Sequence, residues 1–257
     1  MKNTVISTKN LCKTYTIPVL KNINMEITAG EIIGYIGPNG AGKSTTIKIL
    51  TGIIPDFEGD VTVLGMDVRK DVLEIKKRIG YIPENAALYE TLSPMEYLQF
   101  VGQLYNMSTA IIEKKAKELL HLFELTNYVD ARMTTFSKGM RQKVLLIAGM
   151  IHNPSLLFLD EPLSGLDANA VILVKEILIQ LKKSGKTIFY SSHLMDVVEK
   201  ISDRIMIINN GEMIANGTFA ELHQQTSGSL EHIFTQLTGS QSHSSTAGEF
   251  ISILENK

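Results

Sequence analysis

Residues Gly37, Pro38, Asn39, Gly40, Ala41, Gly42, Lys43 and Ser44 satisfy G-x-x-x-x-G-K-[ST] at every specified position, the pattern of a phosphate-binding loop. Its glycines let consecutive backbone N–H groups turn inward on an anion, and the N-terminus of a following helix adds partial positive charge. Lys43 brings a full positive charge toward the β- and γ-phosphates of a nucleotide, and Ser44 offers a hydroxyl to Mg²⁺. The motif needs a buried strand before it and a helix after it. Residues 31–36 read as that strand, and Thr45 with the apolar-periodic residues 46–50 reads as the opening of that helix. By composition alone the pattern arises in about one unrelated chain of this length in a hundred, and the flanking elements lower that further.

A chain of 257 residues with 44% hydrophobic composition can bury one sizeable core, with room for a smaller subdomain, and is not disordered throughout. The formal net charge of −2, with no Lys/Arg block, argues against a nucleic-acid partner. Cys12 is the single cysteine, so no internal disulfide forms, and the first residues open into a strand pattern in place of an apolar leader. A cytoplasmic location is expected. The apolar runs fall short of the ~20 residues of a membrane span, so a membrane role requires a partner.

Residues 5–11 and 19–27 alternate as strands, punctuated by Pro18 and Gly30, and form an antiparallel lead-in to the loop strand. Tyr15, between them, reads equally as a strand aromatic and as a face on which adenine stacks. Strands are expected at 59–63 and 79–82, with a short helix over 72–78. From 93 to 123 the pattern is helical: Ser93 and Glu96 make a capping box, and Ile111, Ala116, Leu119, Leu120 and Phe123 form a helix-period stripe. This predicts an inserted helical subdomain over about 84–150. Two groups on one helix, His121 and Glu124, are too few for a metal site. Residues 155–161 form a buried strand ending in Asp160 and Glu161, and apolar runs rarely end in two carboxylates without a cation. Beyond it, helix 168–183, strand 187–191, helix 195–201 and strand 204–208 alternate as parallel βαβ units, before a last hairpin at Gly211. The expected class is therefore α/β, a P-loop NTPase fold with a mixed sheet. Residues 238–248 read as a polar linker to a short stripe of Phe250, Ile251, Ile253 and Leu254.

Asp160 is the good candidate for the strand-end carboxylate that helps hold Mg²⁺ in P-loop proteins. Glu161, beside it, is placed to deprotonate an attacking water. The rival nucleotide class is a GTPase, since residues 56–59 fit D-x-x-G. That segment follows no buried strand, however, and no N-K-x-D occurs.

With these motifs in order, the chain resembles the ATP-binding subunit of an ATP-binding cassette (ABC) transporter over about residues 5–237. Phe136, Ser137, Lys138, Gly139, Met140, Arg141 and Gln142 look like a variant of the family's Leu-Ser-Gly-Gly-Gln signature. Lys138 and Met140 replace a glycine and the glutamine, whereas Ser137 and Gly139, which present a hydroxyl and an N–H to phosphate, remain. Residues 164–167 are similar to the loop that meets a partner cassette, and Ser191, Ser192 and His193 to the switch motif whose imidazole contacts the γ-phosphate. Tyr15 falls where the family stacks adenine. Glu84 stands where the family usually has a glutamine that touches Mg²⁺, and residues 81–84 are similar to exporter-type cassettes.

The resemblance implies an ATPase that binds ATP and Mg²⁺, pairs head to tail with a second cassette, and sits on the inner face of the membrane through a separate permease subunit. Two other classes fit less well. A soluble cassette acting on ribosomes or DNA usually carries two cassettes or long insertions, and a catalytically dead regulator would not keep Lys43, Ser44, Asp160, Glu161 and His193. The segment after Glu84, with Leu88 and Tyr89 as anchors, is expected to meet the membrane partner.

Overall fold

A computed structural model describes residues 3–84, 88–239 and 252–254. The strands are β1 (Thr4–Thr14), β2 (Pro18–Thr28), β3 (Ile32–Ile36), β4 (Glu58–Val63), β5 (Met66–Asp67), β6 (Ile79–Ile82), β7 (Leu156–Asp160), β8 (Thr187–Ser191), β9 (Arg204–Asn209) and β10 (Glu212–Gly217). The helices are α1 (Lys43–Leu50), α2 (Val72–Lys76), α3 (Pro94–Leu104), α4 (Thr109–Leu122), α5 (Lys138–Met150), α6 (Ala168–Lys183), α7 (Met195–Ile201), α8 (Phe219–Gln225) and α9 (Leu230–Thr238).

The strands form two sheets. An antiparallel one runs β2-β1-β4-β5, and a six-stranded one runs β10-β9-β3-β8-β7-β6, parallel except for the hairpin strand β10. Every residue of β3, β7 and β8 is buried, as expected for parallel strands covered on both faces. Their alternation serves two cores. Ile33, Tyr35, Phe158 and Phe189 face α1 and the antiparallel sheet, while Ile32, Ile36, Leu157, Leu159 and Tyr190 face the larger group of helices. The register sets Tyr35, Ser191 and Asp160 side by side across β3, β8 and β7. The phosphate loop, which follows β3, and the two carboxylates, which end β7, therefore open at the same edge with β8 between them.

The helical text beyond Ser93 is two helices. The capping box of Ser93 and Glu96 starts α3, and the chain turns at 105–108, where Asn106 takes a φ of 57°. In α4 the buried residues are Ile112, Ala116 and Leu120, with Phe123 just beyond; Ile111 is 51% exposed. The expected stripe holds at Ala116, Leu120 and Phe123, with Leu119 half-buried against the core; it fails at Ile111, whose place is taken by Ile112, docked against Gly102 of α3, where a Cβ would lie 2.6 Å from its side chain. Leu88 is buried in the helical core, while Tyr89 is exposed and packs edge-on against Phe100 at 5.6 Å. Of the two expected anchors, only Tyr89 is available to a partner. His121 is exposed and within hydrogen-bond distance of Thr126. At the C-terminus, Thr238 ends α9 and Gly239 caps it in the left-handed region. The rest of the expected linker, with Phe250 and Ile251, lies outside the described residues, and Ile253 and Leu254 are exposed.

Candidate active site

The loop of residues 37–42 is shaped by glycines at two tight places. A Cβ on Gly37 would lie 2.3 Å from the Ile208 carbonyl oxygen, and one on Gly42 would lie 2.5 Å from Leu20. Gly42 also carries a φ of 108°, which a side chain strongly disfavours. As N-cap of α1 it supplies no side-chain hydrogen bond, so the first N–H groups of the helix remain open to an anion. Ala41 is buried and its N–H closes a turn on Pro38, while Asn39 and Gly40 are exposed at the mouth. Thr46 bridges the base, bonded to Gly42 O and within 3.1 Å of the Tyr35 hydroxyl.

Lys43 is buried, and its Nζ donates to the carbonyls of Gly37 (2.7 Å) and Pro38 (3.1 Å). Burial holds its pKa below the usual lysine range, against the opposing pull of Glu161, Asp160 and Glu84. The ammonium is thus already inside the loop, where phosphate oxygens can replace the carbonyls. One cleft is lined by Lys43, Ser44, Thr45, Glu84, Asp160, Glu161 and His193, together with Asn39, Gly40 and Gly42.

Across the cleft, Ser191 Oγ donates to Asp160 Oδ1 at 2.7 Å and accepts from the Glu161 N–H at 3.0 Å. The Glu161 carboxylate accepts the His193 N–H through Oε2 at 3.2 Å. The imidazole Nε2 lies 3.1 Å from Oε1 but off hydrogen-bond alignment, so Oε1 is buried without a hydrogen-bond partner among the described residues. Burial pushes the Glu161 carboxyl up to about 7, against the His193 N–H and Lys43. A carboxylate with a near-neutral pKa, aimed into a phosphate cleft, is suited to accept a proton from water. His193 is held below its ordinary value, first by partial burial and then by Lys43, which favours the neutral ring.

Three of the expected residues stand apart. Tyr15 is 54% exposed and does not line the cleft; the Lys13 ammonium sits 4.7 Å from its ring centroid and is paired with Asp56 at 2.9 Å. Ser137 and Gly139 lie at the start of α5, where the Ser137 hydroxyl caps the helix by accepting the Met140 N–H. Neither reaches this chain's own phosphate loop cleft. The bridging role of Ser191 escaped the sequence because it depends on register between strands thirty residues apart.

For a metal, no group of three His, Cys, Asp or Glu converges among the described residues. The cleft offers instead the Ser44 hydroxyl, Asp160 and the exposed Glu84, beside the orphaned Glu161 oxygen. Mg²⁺ is commonly bound through one or two carboxylates plus substrate phosphates, and this oxygen set fits that habit.

A glycine loop between a buried strand and a helix, with a lysine in its cradle and a carboxylate pair on a nearby strand end, defines a P-loop nucleoside triphosphatase. Residues 20–164 match the family model described as ABC transporter. Over 225 residues the chain is 38% identical to the linearmycin resistance ATP-binding protein of Bacillus subtilis, covering 87% of this chain and 72% of that one. It is 38% identical over 200 residues to the Nod factor export ATP-binding protein I of Rhizobium meliloti, covering 78% and 60%. Among solved structures, an ATP-binding subunit of an ABC transporter superposes with a TM-score of 0.85 at 33% identity, covering 91% of this chain and 100% of that one. A dimeric, post-hydrolysis ATP-binding cassette bound to ADP and Pi superposes with a TM-score of 0.78 at 26% identity, covering 83% and 98%. The chain belongs to the ABC transporter family as an ATP-binding cassette, and it is an ATPase.

Proposed function

We propose that this cassette hydrolyses ATP to power export through a separate transmembrane partner, with two cassettes facing head to tail. Among the described residues no helix is long and apolar enough to cross a membrane, and this reading takes the substrate path from a transmembrane partner. Relatives named for Nod factor export and linearmycin resistance support the outward direction. The residues fall into a body with a helical subdomain over about 84–150.

In this reading the loop N–H groups and Lys43 hold the phosphates, and the exposed ring of Tyr15, outside the phosphate cleft, offers its free face to the adenine. Mg²⁺, held through Ser44 and Asp160 with Glu84 at the rim, would neutralise charge on the β- and γ-phosphates. Glu161 takes the proton of the attacking water as its oxygen bonds the γ-phosphorus, while the bond to the bridging oxygen breaks and ADP leaves. His193, pinned to Glu161 through its backbone, faces the same phosphate.

The observation that carries the assignment is the Glu161 carboxylate, largely buried next to Asp160, raised in pKa, with one oxygen that no hydrogen bond meets among the described residues. Glu161→Gln keeps size and polarity but loses the base, so steady-state turnover should fall by roughly 10²- to 10⁴-fold with ATP still bound. Lys43→Ala should instead weaken ATP binding. Near-normal turnover of Glu161→Gln would overturn the assignment.

A further inference from the structure

Glu161 has a φ of 50°, a left-handed conformation uncommon for a residue with a side chain, and the next residue is Pro162. Such a backbone persists only where its surroundings over-determine it. On one side the restraint is the Glu161 N–H bonded to Ser191 on β8. On the other side it comes from α5. Gln142, only 4% exposed, donates from Nε2 to the Pro162 carbonyl at 2.9 Å, fixing the Pro162–Leu163 peptide, one residue beyond Glu161. From the first turn of the same helix Lys138 donates to Ser164 Oγ at 2.8 Å, and Lys143 lies 3.7 Å from Asp167, the N-cap of α6. The helix backbone also comes close here, since a Cβ on Gly139 would lie 2.7 Å from the Gly165 carbonyl oxygen. One helix thus grips residues 162–167 by three side chains, and the segment it grips starts at the carboxylate.

We propose that Gln142 is a positioning residue for Glu161: its buried amide holds the Pro162 carbonyl, and through it the turn that leaves Glu161, so that the carboxylate meets the attacking water, and Lys138 steadies the same segment from the surface. The proposal rests on Glu161 being the base. A buried carbonyl left without its donor relaxes toward other partners, and a displacement of about 1 Å at a reacting group can lower a rate by up to ~10²-fold. Binding of ATP by the loop involves none of these contacts.

The test is steady-state kinetics of Gln142→Met, which keeps length and burial without the donor, alone and combined with Glu161→Gln. The expected result is a kcat about 10-fold lower with KM for ATP unchanged within about twofold. In the Glu161→Gln background the same change should cost nothing further, because a residue acting through Glu161 has nothing left to position. Lys138→Ala, at an exposed site that does not threaten folding, should show a smaller loss of the same kind. The proposal is overturned if kcat stays at the parent value in both variants, or if the Gln142→Met loss recurs in full when Glu161 is already glutamine. Failure of the base assignment reads differently, as Glu161→Gln alone turning over normally.

Discussion

His152 ends the turn after α5, with its ring stacked on Tyr105 at 3.6 Å and Nε2 3.0 Å from the Ile79 carbonyl. With Nε2–H donating there, Nδ1 is a buried acceptor that no described group meets. Protonating it would bury an unpaired N–H, and burial accordingly lowers the pKa, with nearby Lys115 adding to the effect against the bond to Ile79. The unfolded chain takes up this proton at about 6.5, before the folded chain does. Below that pH the unfolded state binds more protons, and the contribution of His152 to stability, present above it, is lost as pH falls toward the depressed folded value. The melting temperature should therefore decline from pH 7 to pH 5, and His152→Gln should flatten that decline. An identical slope in parent and variant would show that the ring protonates in place.

Between elements, the closest approach is where β6 meets α5. A Cβ on Gly80 would lie 2.2 Å from the Gly149 carbonyl oxygen, and one on Gly149 would lie 2.6 Å from Ile82. Two glycines let a helix backbone rest on a strand backbone, joining the helices of residues 94–150 to the sheet. Gly80→Ala should cost about 1–3 kcal/mol by overpacking, read from urea unfolding; a change below ~0.5 kcal/mol would mean that α5 slides freely. Elements with local signals were legible in sequence. Helix α6 begins where Asp167 caps it and ends at its lysines, and the phosphate loop, the strand ending in Asp160 and the capping box of Ser93 all announce themselves within ten residues. What stayed hidden depends on distant partners. The choice of Ile112 over Ile111 on the buried face of α4 is made by packing against Gly102. The burial of Leu88 is chosen by the helical core, and the grip of Gln142 on Pro162 by packing between segments twenty residues apart.

At the scale of the whole molecule, Ser137 and Gly139 do not line the phosphate-loop cleft of their own chain, and two related cassettes have been solved as dimers. Glu161→Gln protein should shift from monomer toward dimer on adding ATP, and Ser137→Arg should abolish the shift; a Glu161→Gln protein that light scattering finds monomeric at all ATP concentrations, even with its membrane partner, would refute the head-to-tail pairing. The membrane partner is expected at exposed Tyr89, with Phe100 of α3 packed against it and exposed Leu104 one turn further along that helix. Tyr89→Ala should leave melting and dimerisation nearly unchanged yet lose co-purification with the transmembrane subunit, whereas undiminished co-purification would place the contact elsewhere. Finally, β8 separates the loop strand from the carboxylate strand, and two interstrand spacings come to about 10 Å. That offset acts as a gauge, holding the phosphate loop and the strand-end carboxylates apart with the cleft between them. Since β8 also carries Ser191 to the Asp160 end of the gap, inserting or deleting a single residue in this strand would spoil the gauge and the latch together.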